Sequence, residues 1–382
     1  MKIDRRIRDF AKFFLSILVK MKYAFLSFFG RPIKLTDHEV NEVVNNNQQD
    51  YENSLELKNR IEKNFDLMVV IPAYNCADTI KKCIDSVLNQ ITTFSYQIVV
   101  VNDGSTDGTQ DVLKEYDSEK NVRIVTQKNK GFSGARNTAL RFITGEYVFF
   151  LDSDDFLPNK NAIQSLLELG YENNADVVEG SAFSFYYKEN NREIVKNRDM
   201  RHSYEGKVKS ISDMYGYPWG KIYKSELFRN LEFPEGLWYE DTIISMIVYP
   251  KARVKILTNA LVYAYQINMN GITHSSKGKK KTIDTYYVTK LCVDEELKLG
   301  LINQETEKLF LNQLAMNYSR LKYLPNKVND AVALLSIKLY QNNFFEIEKN
   351  NLLISKELKL KKALADRNTV RLKALLSCWY YL

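Results

Sequence analysis

The sequence predicts an α/β fold with a mostly parallel central sheet. Short apolar runs rich in β-branched and aromatic residues alternate with polar loops and amphipathic helical patterns, which is typical of βαβ units. Polar clusters end successive apolar runs. Because the carboxyl ends of parallel strands meet at one edge of a sheet, where ligands of α/β proteins bind, we expect these clusters to lie together.

The predicted elements follow one another in a regular order. Pro72 ends the first strand, because proline cannot continue a central strand. The Thr144-Gly145 pair is a turn signal just before the last strand. In chain order the elements are the strand Phe65–Ile71, a helix with its apolar face at Ile80, Cys83, Ile84, Val87 and Leu88, the strand Tyr96–Val101, a helix through Val112, Leu113 and Tyr116, the strand Val122–Val125 and the strand Tyr147–Leu151.

Three carboxylates, Asp152, Asp154 and Asp155, directly follow the last strand. Because desolvating an unpaired charge is costly, we expect them at the mouth of the sheet rather than in its core. Asp152 and Asp154, separated by the small Ser153, could reach one hard cation, and that cation could hold a diphosphate. The alternative is a solvated acidic turn that stops the strand.

Four polar motifs occur in a fixed order along this part of the chain. They are Val70-Ile71-Pro72-Ala73-Tyr74-Asn75, Asn102-Asp103-Gly104-Ser105-Thr106-Asp107-Gly108-Thr109, Asn129-Lys130-Gly131-Phe132-Ser133-Gly134-Ala135-Arg136-Asn137 and Asp152-Ser153-Asp154. In order and spacing they resemble the motifs of family 2 glycosyltransferases, over about residues 65–275. The resemblance implies a GT-A fold, which is a Rossmann-like nucleotide-sugar-binding domain with a mixed central sheet. It also implies inverting transfer of a sugar from a nucleotide, usually UDP, to an acceptor hydroxyl with the help of Mn²⁺ or Mg²⁺.

The resemblance assigns the nucleotide-sugar donor to the loops that follow the strands. A carboxylate such as Asp103 can accept the N–H of a uracil ring. Lys130 and Arg136 can offer charge-assisted bonds to phosphate or to Asp152, and a solvated surface is the alternative for this basic pair. For Tyr74 the alternative is ordinary packing. The predicted donor-binding residues are Pro72, Ala73, Tyr74, Asn75, Asp103, Lys130, Gly131, Arg136, Asp152 and Ser153.

For the metal, the resemblance makes Asp154 the direct ligand and Asp152 a contact to the ribose or to a metal-bound water. Oxygen ligands from these carboxylates and from a donor diphosphate suit Mn²⁺ or Mg²⁺. His274 could complete the metal shell or contact phosphate, and a structural or solvent-exposed role is the alternative. Asp155 is left to cap a helix or to orient a neighbour.

An inverting transfer also needs a general base, which takes the proton of the acceptor hydroxyl. The resemblance places it in the Glu240-Asp241 pair, which precedes a predicted helix. We assign the base to Asp241, with Glu240 positioning the acceptor or a neighbouring backbone. The alternative is an acidic first turn that interacts with the helix dipole. Trp219 and Trp238 are candidates either for stacking on an acceptor sugar or for core packing.

The positive charge of the chain is concentrated at its N-terminus. The chain has 54 Lys and Arg against 47 Asp and Glu, and residues 1–34 alone contain nine basic and two acidic residues among many aromatic ones. Charges interrupt this segment too often for a spanning helix, and it lacks the features of a signal peptide. It therefore predicts a basic amphipathic helix on an anionic membrane surface, with packing on the protein's own core as the alternative.

We predict four regions. They are a membrane-associating helix over 1–34, a linker or helical segment over 35–64, a GT-A catalytic domain over 65–276, and a helical C-terminal region over 277–382. The basic, aromatic tail at the end of the last region could contact a membrane or fold back on the N-terminal helix. The four cysteines do not cluster, which indicates a reducing compartment without structural disulfides.

The sequence therefore predicts a glycosyltransferase on the inner face of the cell membrane, peripheral and cytoplasmic. Its acceptor would be a hydroxyl of a lipid-linked or polymeric surface glycan such as capsule, and no nucleic-acid partner is expected. A polyprenyl-phosphate sugar transferase is a rival that the Glu240-Asp241 pair and the long helical tail disfavour. A haloacid-dehalogenase phosphatase would carry its acidic motif at the first strand. A non-catalytic binding protein would not need Asp154 and Asp241 together.

Overall fold

The computed structural model describes residues 18–28, 30–46, 55–188, 193–268 and 275–379. The chain divides into two compact units. Residues 50–275 form an α/β unit, called here the sheet unit, and residues 1–49 with 276–382 form a helical unit. His274, the first 17 residues of the predicted membrane helix and the tail residues 380–382 lie outside the described residues.

Within the described residues the sheet unit contains nine strands. They are β1 Arg60–Ala73, β2 Tyr96–Asn102, β3 Val122–Thr126, β4 Phe142–Phe150, β5 Val177–Lys188, β6 Glu193–Met200, β7 Gly206–Lys207, β8 Lys221–Lys224 and β9 Lys255–Gln266. Their order is β3-β2-β1-β4-β8-β5-β9-β7, and β6 pairs with β5. Neighbours among the first four are parallel, whereas β8 runs antiparallel to β4 and β5. The mixed central sheet of the predicted fold is confirmed.

The described helices belong to both units. In chain order they are α1 over 18–28, α2 Asp37–Asn45, α3 Ile80–Leu88, α4 Thr109–Lys114, α5 Gly131–Leu140, α6 Ala162–Glu172, α7 (a π-helical turn, Ile244–Val248, continued by Tyr249–Lys251), α8 Asp284–Lys298, α9 Gln304–Leu321, α10 Asn326–Asn343, α11 Ser355–Ala365 and α12 Thr369–Cys378. The helices α3 to α7 lie in the sheet unit, and the others form the helical unit. Strands and helices thus alternate in the first half of the sheet unit, as the sequence predicts.

The core of the sheet unit forms between the sheet and its helices. Leu67, Val69 and Ile71 of β1 are fully buried in one cluster with Ile80 and Ile84 of α3. The end of β1 shows no apolar–polar alternation, because a parallel strand covered on both faces buries every side chain.

The prediction that Pro72 ends the first strand is wrong, because β1 continues through Pro72 to Ala73. Its pairing with β4 stops at Val70, whereas its pairing with β2 continues to Ala73 opposite Asn102. Beyond β4 the Leu151 N–H still donates to the Val70 carbonyl at 3.0 Å. However, β4 has no strand residue opposite Pro72, which remains paired with Val101 of β2. Proline therefore removes no sheet hydrogen bond at this position.

The predicted turn at Thr144-Gly145 is also wrong, since both residues lie inside β4. This strand begins at Phe142, opposite Arg60, so β1 also reaches back into the segment predicted as a linker. Gly145 lies so close to the backbone of β1 that a Cβ there would clash with Met68 N. Glycine is needed here for close strand packing rather than for a turn.

The helical unit combines the two ends of the chain. The capping box formed by Thr36 and Glu39 begins α2, and the Tyr287 hydroxyl of α8 donates to the Val44 carbonyl of α2 at 3.1 Å. The C-terminal region is helical, as predicted. None of the helices in the described ranges is long and apolar enough to cross a membrane.

Candidate active site

Hydrogen bonds join the loops that follow β1 and β2. The Asp103 N–H donates to the Ala73 carbonyl at 2.8 Å, and the Asn75 N–H donates to the Ser105 hydroxyl at 3.0 Å. The Thr106 N–H in turn donates to Asn75 Oδ1 at 2.8 Å. The first two sequence motifs are therefore connected at one edge of the sheet.

Asp103 also links the second motif to the third. Its side chain is buried, and Oδ1 accepts hydrogen bonds from Gln127 Nε2 at 2.6 Å and from the Lys130 N–H at 2.8 Å. Gly131 follows with a φ of +77°, which glycine adopts without strain, and begins α5. The loop that contains Lys130 is thus held beside the carboxylate predicted to contact the base.

Three of the predicted donor-binding side chains, those of Tyr74, Asn75 and Lys130, are exposed at this edge. Tyr74 is 50% exposed, and Lys130 is exposed just before α5. Pro72 and Ala73 are buried at the end of β1. The latter two residues therefore shape the loop, whereas the tyrosine ring and the ammonium group face solvent.

Arg136 connects two acidic motifs that are far apart in the sequence. Its side chain is 5% exposed, and it donates to Asp152 Oδ1 at 2.8 Å and to Glu240 Oε1 at 2.6 Å. Its buried Nε has no hydrogen-bond partner within the described part of the chain. We call Arg136, Asp152 and Glu240 the Arg136 cluster. It joins the predicted metal motif to the predicted base motif.

The charges of the Arg136 cluster shift one another's pKa. Burial lowers the pKa of Arg136, but the carboxylates of Asp152 and Glu240 more than offset this and raise it. Burial raises the pKa of Glu240 to about 7; the Arg136 charge opposes this shift and the Asp241 charge adds to it. A carboxyl group with such a pKa can gain or lose a proton near neutral pH, which is common at functional sites.

Asp155 anchors the end of β9 beside the acidic motif. It is buried, and it accepts hydrogen bonds from the Tyr263 hydroxyl at 2.6 Å and from the Gln266 N–H at 2.7 Å. The same hydroxyl accepts from the Asp152 N–H at 3.2 Å. Of the two roles left open for Asp155, the structure shows the orientation of neighbours.

Asp154 is the carboxylate predicted to bind a metal directly. Burial and the negative charge of Asp152 raise the pKa of Asp154 to about 6, while a hydrogen bond from the Asn268 side chain lowers it. Among the described side chains, no group of three His, Cys, Asp or Glu residues could hold a metal ion. The two crowded carboxylates are hard oxygen donors that a divalent cation would neutralise. They fit Mn²⁺ or Mg²⁺ as part of an oxygen shell.

Asp241, the predicted base, lies just before α7 and is half-buried. Its charge, after burial, is the main reason why the pKa of Tyr217 is raised. The Tyr217 ring is 39% exposed and stacks on Trp219, with ring centroids 4.6 Å apart. Sequence reasoning missed Tyr217, although aromatic residues at every second position, Tyr215, Tyr217 and Trp219, could have indicated a row of stacked rings.

The two tryptophans predicted to stack or pack differ in their surroundings. Trp219 is 7% exposed and lies between Tyr217 and Tyr263, whose ring centroid is 4.5 Å from its own. Trp238 is half-buried and meets Tyr239 edge-on at 6.4 Å. Trp219 therefore belongs to the packed interior, and the exposed ring of its stack is Tyr217.

A second buried charge cluster, which the sequence analysis missed, lies between β5 and β8. Glu179 Oε2 is 2.7 Å from Lys221 Nζ, and Glu179 Oε1 is 3.5 Å from His202 Nε2. Glu179 Oε1 also accepts the Tyr215 N–H at 3.0 Å, and Lys221 donates to the Tyr249 hydroxyl at 3.0 Å. We call Glu179, Lys221 and His202 the Glu179 cluster. A glutamate inside an apolar strand was its sequence signal, since buried glutamates need partners.

Comparisons with known proteins identify the family and the fold of this part of the chain. Residues 68–232 match the model of the glycosyl transferase family 2. The glycosyltransferase GlyA of Streptococcus pneumoniae serotype 4 is 33% identical over 224 residues, which are 54% of this chain and 31% of GlyA. Chondroitin synthase of Escherichia coli is 48% identical over 90 residues, which are 23% of this chain and 13% of the synthase. The chain thus spans less than a third of the length of either relative.

A solved structure shows the same fold. The crystal structure of S. aureus TarS 1-349 in complex with UDP-GlcNAc aligns with a TM-score of 0.65 and 21% identity, over 82% of this chain and 91% of that one. The family predicted from the four motifs is confirmed by the matching family model and by these relatives. Residues 68–232 therefore form a glycosyl transferase family 2 domain, and the chain shares the fold of TarS 1-349.

Proposed function

We propose that this family 2 glycosyltransferase transfers a sugar from a UDP-sugar to a hydroxyl of a lipid-linked or polymeric surface-glycan acceptor. The observation that carries the proposal is the Arg136 cluster. It holds Asp152, next to the predicted metal ligand Asp154, and Glu240, next to the predicted base Asp241, on one buried guanidinium. A donor motif and a base motif fixed to each other in this way suit a single transfer site.

The residues take separate roles in an inverting transfer. Asp241 takes the proton of the acceptor hydroxyl as that oxygen attacks the anomeric carbon, and UDP leaves from the opposite face. Glu240, held by Arg136, fixes the start of α7 and hence the position of Asp241. Asp154 and Asp152 would hold Mn²⁺ or Mg²⁺, which as a Lewis acid would stabilise the negative charge of the leaving diphosphate.

The donor and acceptor classes rest on the comparisons and the loops. UDP-GlcNAc is bound in the TarS structure that shares this fold, which supports a UDP-linked donor. Asp103 and the exposed ring of Tyr74 lie in the loops proposed to bind the nucleoside. The E. coli relative is named as a synthase of chondroitin, a polysaccharide, which supports a glycan acceptor.

The surface of α1 supports a peripheral place on the inner face of the membrane. Val19, Tyr23 and Leu26 form its more buried side. The opposite side carries the exposed apolar residues Leu18 (48%), Met21 (63%), Phe25 (61%) and Phe28 (89%). These four positions share one helix face, with Lys22 at its border. An apolar stripe bordered by basic residues suits the surface of an anionic membrane.

The proposal is tested by the release of UDP. Nucleotide-sugars, with UDP-GlcNAc first, are incubated with the full chain and either Mn²⁺, Mg²⁺ or EDTA. We expect UDP release to depend on the metal. Asp154→Asn should reduce this release at least about 100-fold. Asp241→Asn should stop release without weakening UDP binding. Asp111→Asn, at an exposed carboxylate paired with Lys114, is the matched control and should leave release unchanged. Release that EDTA does not affect would contradict the metal role, and loss of UDP binding in Asp241→Asn would contradict the base.

A further inference from the structure

The start of α11 carries a second exposed apolar edge in the helical unit. Leu352 is 47% exposed, Ile354 is 56% exposed and Leu358 is 47% exposed, whereas the neighbouring Leu353 and Leu360 are buried. Exposed leucines occur singly on ordinary surfaces, but a group of three within seven positions is an apolar patch. Such patches mark contacts with proteins or membranes.

From Leu352 to Lys362 the exposed charged residues are two lysines. Lys359 directly follows Leu358, and Lys362, one helical turn from Leu358, is paired with Asp366 at 3.2 Å. The acidic residue of this stretch, Glu357, is buried, and its carboxylate accepts the Ile354 N–H at 2.9 Å. The edge therefore presents apolar and cationic groups together.

Contacts around the end of α12 connect this edge to α1. Lys356 of α11 donates to the Trp379 carbonyl at 3.2 Å, and its ammonium lies 4.8 Å from the centre of the Trp379 ring. Burial raises the pKa of the adjacent Cys378 thiol, and the charge of Lys22 in α1 lowers it in part. The charge of Lys22 therefore acts on the same end of α12 that Lys356 contacts.

The other end of α12 contacts the residues that follow α1. The Ile33 N–H donates to the Thr369 hydroxyl at 3.2 Å, and Gly30 lies so close to Val370 that an added Cβ would be 3.0 Å from its side chain. Gly30 and Ile33 therefore lie beside the first residues of α12. The segment after α1 thus contacts the start of α12, and Lys356 of α11 contacts the residue after its end.

We propose that Leu352, Ile354 and Leu358, with Lys359, form a second membrane-binding edge of the helical unit that contacts anionic lipid. Charge complementarity favours lipid, because lysines that border an apolar patch can bury their stems and leave the ammonium among phosphate headgroups. Trp379 of the predicted aromatic tail is 4% exposed, so its ring is not available for a membrane surface. The inference rests on the membrane association included in the proposed function.

Vesicle sedimentation of the full chain tests the edge. The probes are vesicles of phosphatidylglycerol and vesicles of phosphatidylcholine. We expect Ile354→Glu/Leu358→Glu to weaken binding to phosphatidylglycerol at least about tenfold. The matched control is Leu297→Glu/Leu299→Glu, at exposed leucines around the end of α8 (59% and 44%), and it should change binding less than about twofold. Ile354→Gln/Leu358→Gln, without added charge, separates lost apolar contact from repulsion, and thermal unfolding verifies that each variant folds.

The outcomes distinguish this inference from the proposed function. If the unmodified chain does not sediment with phosphatidylglycerol, the membrane association itself is wrong. If Phe25→Glu/Phe28→Glu prevents sedimentation but the α11 variant binds like the unmodified chain, only the second edge is refuted. If the α11 variant instead converts a multimer into single chains in vesicle-free light scattering, the edge is a contact between copies and the inference is overturned. Equal losses in the α8 control would show a general effect of added charge and would also overturn it.

Discussion

The Arg136 cluster and the Glu179 cluster are both buried groups of charges in the sheet unit, yet their bonding differs. Glu179 and Lys221 are each 1% exposed, and both carboxylate oxygens of Glu179 have partners. Oε1 accepts the Tyr215 N–H, and Oε2 contacts Lys221 and the Tyr249 hydroxyl. In the Arg136 cluster the Arg136 Nε has no partner in the described ranges, and Asp152 is 28% exposed. Burial of charge is common to both clusters, so it does not by itself mark an active site.

Position in the sheet explains the difference. The Glu179 cluster lies between β5 and β8, where its bonds hold strands together. The Arg136 cluster lies beyond the carboxyl end of β4, where loops meet and ligands of α/β folds bind. We therefore expect the first cluster to stabilise the fold and the second to act in transfer, and substitutions at the two cations test that distinction.

The largest effect is expected for Arg136→Met. Without the guanidinium, Asp152 and Glu240 lose their shared partner, and the metal and base motifs lose their common anchor. We expect UDP release per folded molecule to fall by roughly 10²–10³-fold, the usual effect of removing a preorganised charged group from an active site. Circular dichroism measures the folded fraction. Arg136→Lys keeps the charge but not the two-pronged geometry, and should be intermediate.

Lys221→Met is the matched change in the other cluster and should act on stability. Removing one partner of a buried ion pair leaves an uncompensated charge on Glu179 and costs about 3–5 kcal/mol in the free energy of unfolding. Urea denaturation measures this loss, and UDP release per folded molecule should stay within about twofold. If turnover falls as far as in Arg136→Met while the protein remains folded, the distinction between the clusters is wrong.

Local sequence pattern predicted the parallel half of the sheet and its polar edge because each strand and loop carries its own signal. The choice of Glu240 as a partner for Arg136, and of Lys221 for Glu179, is a long-range packing outcome that no local spacing encodes. The strand β5 went unpredicted because Glu179-Gly180-Ser181 interrupts its apolar run. Pro72 was misjudged because its tolerance depends on where the neighbouring ladder ends.

Titration of Glu240 sharpens the comparison further. The pKa of Glu240 is raised from an ordinary value of 4.5 to about 7. The stability that the neutral carboxyl contributes is therefore complete below pH 4.5 and is lost as the pH rises through about 7. Glu240→Gln stays neutral, so the unmodified protein should lose about 2–3 kcal/mol relative to this variant between pH 4.5 and about 8.

Urea denaturation in a series of buffers measures that difference. Because both proteins contain Asp154 and Asp155, the contributions of these carboxyls largely cancel. Glu168→Gln, on an exposed position of α6, should show no pH-dependent difference. A constant difference between the unmodified protein and Glu240→Gln would mean that Glu240 stays ionised beside Arg136 throughout this range.

The smallest effect is expected for Tyr217→Leu, in the row of rings that connects the two clusters. Tyr215 lies 5.6 Å from the His202 ring, and Trp219 stacks on Tyr263, whose hydroxyl bonds to the acidic motif. Losing one stacked ring should lower the free energy of unfolding by about 1 kcal/mol. Acceptor-free UDP release should stay within about twofold, since Tyr217 contacts neither Arg136 cluster carboxylate in the described hydrogen bonds. Tyr217→Phe keeps the ring and should match the unmodified protein. A large loss of acceptor-free UDP release in Tyr217→Leu would instead mean that the row of rings positions the donor site and couples the two clusters.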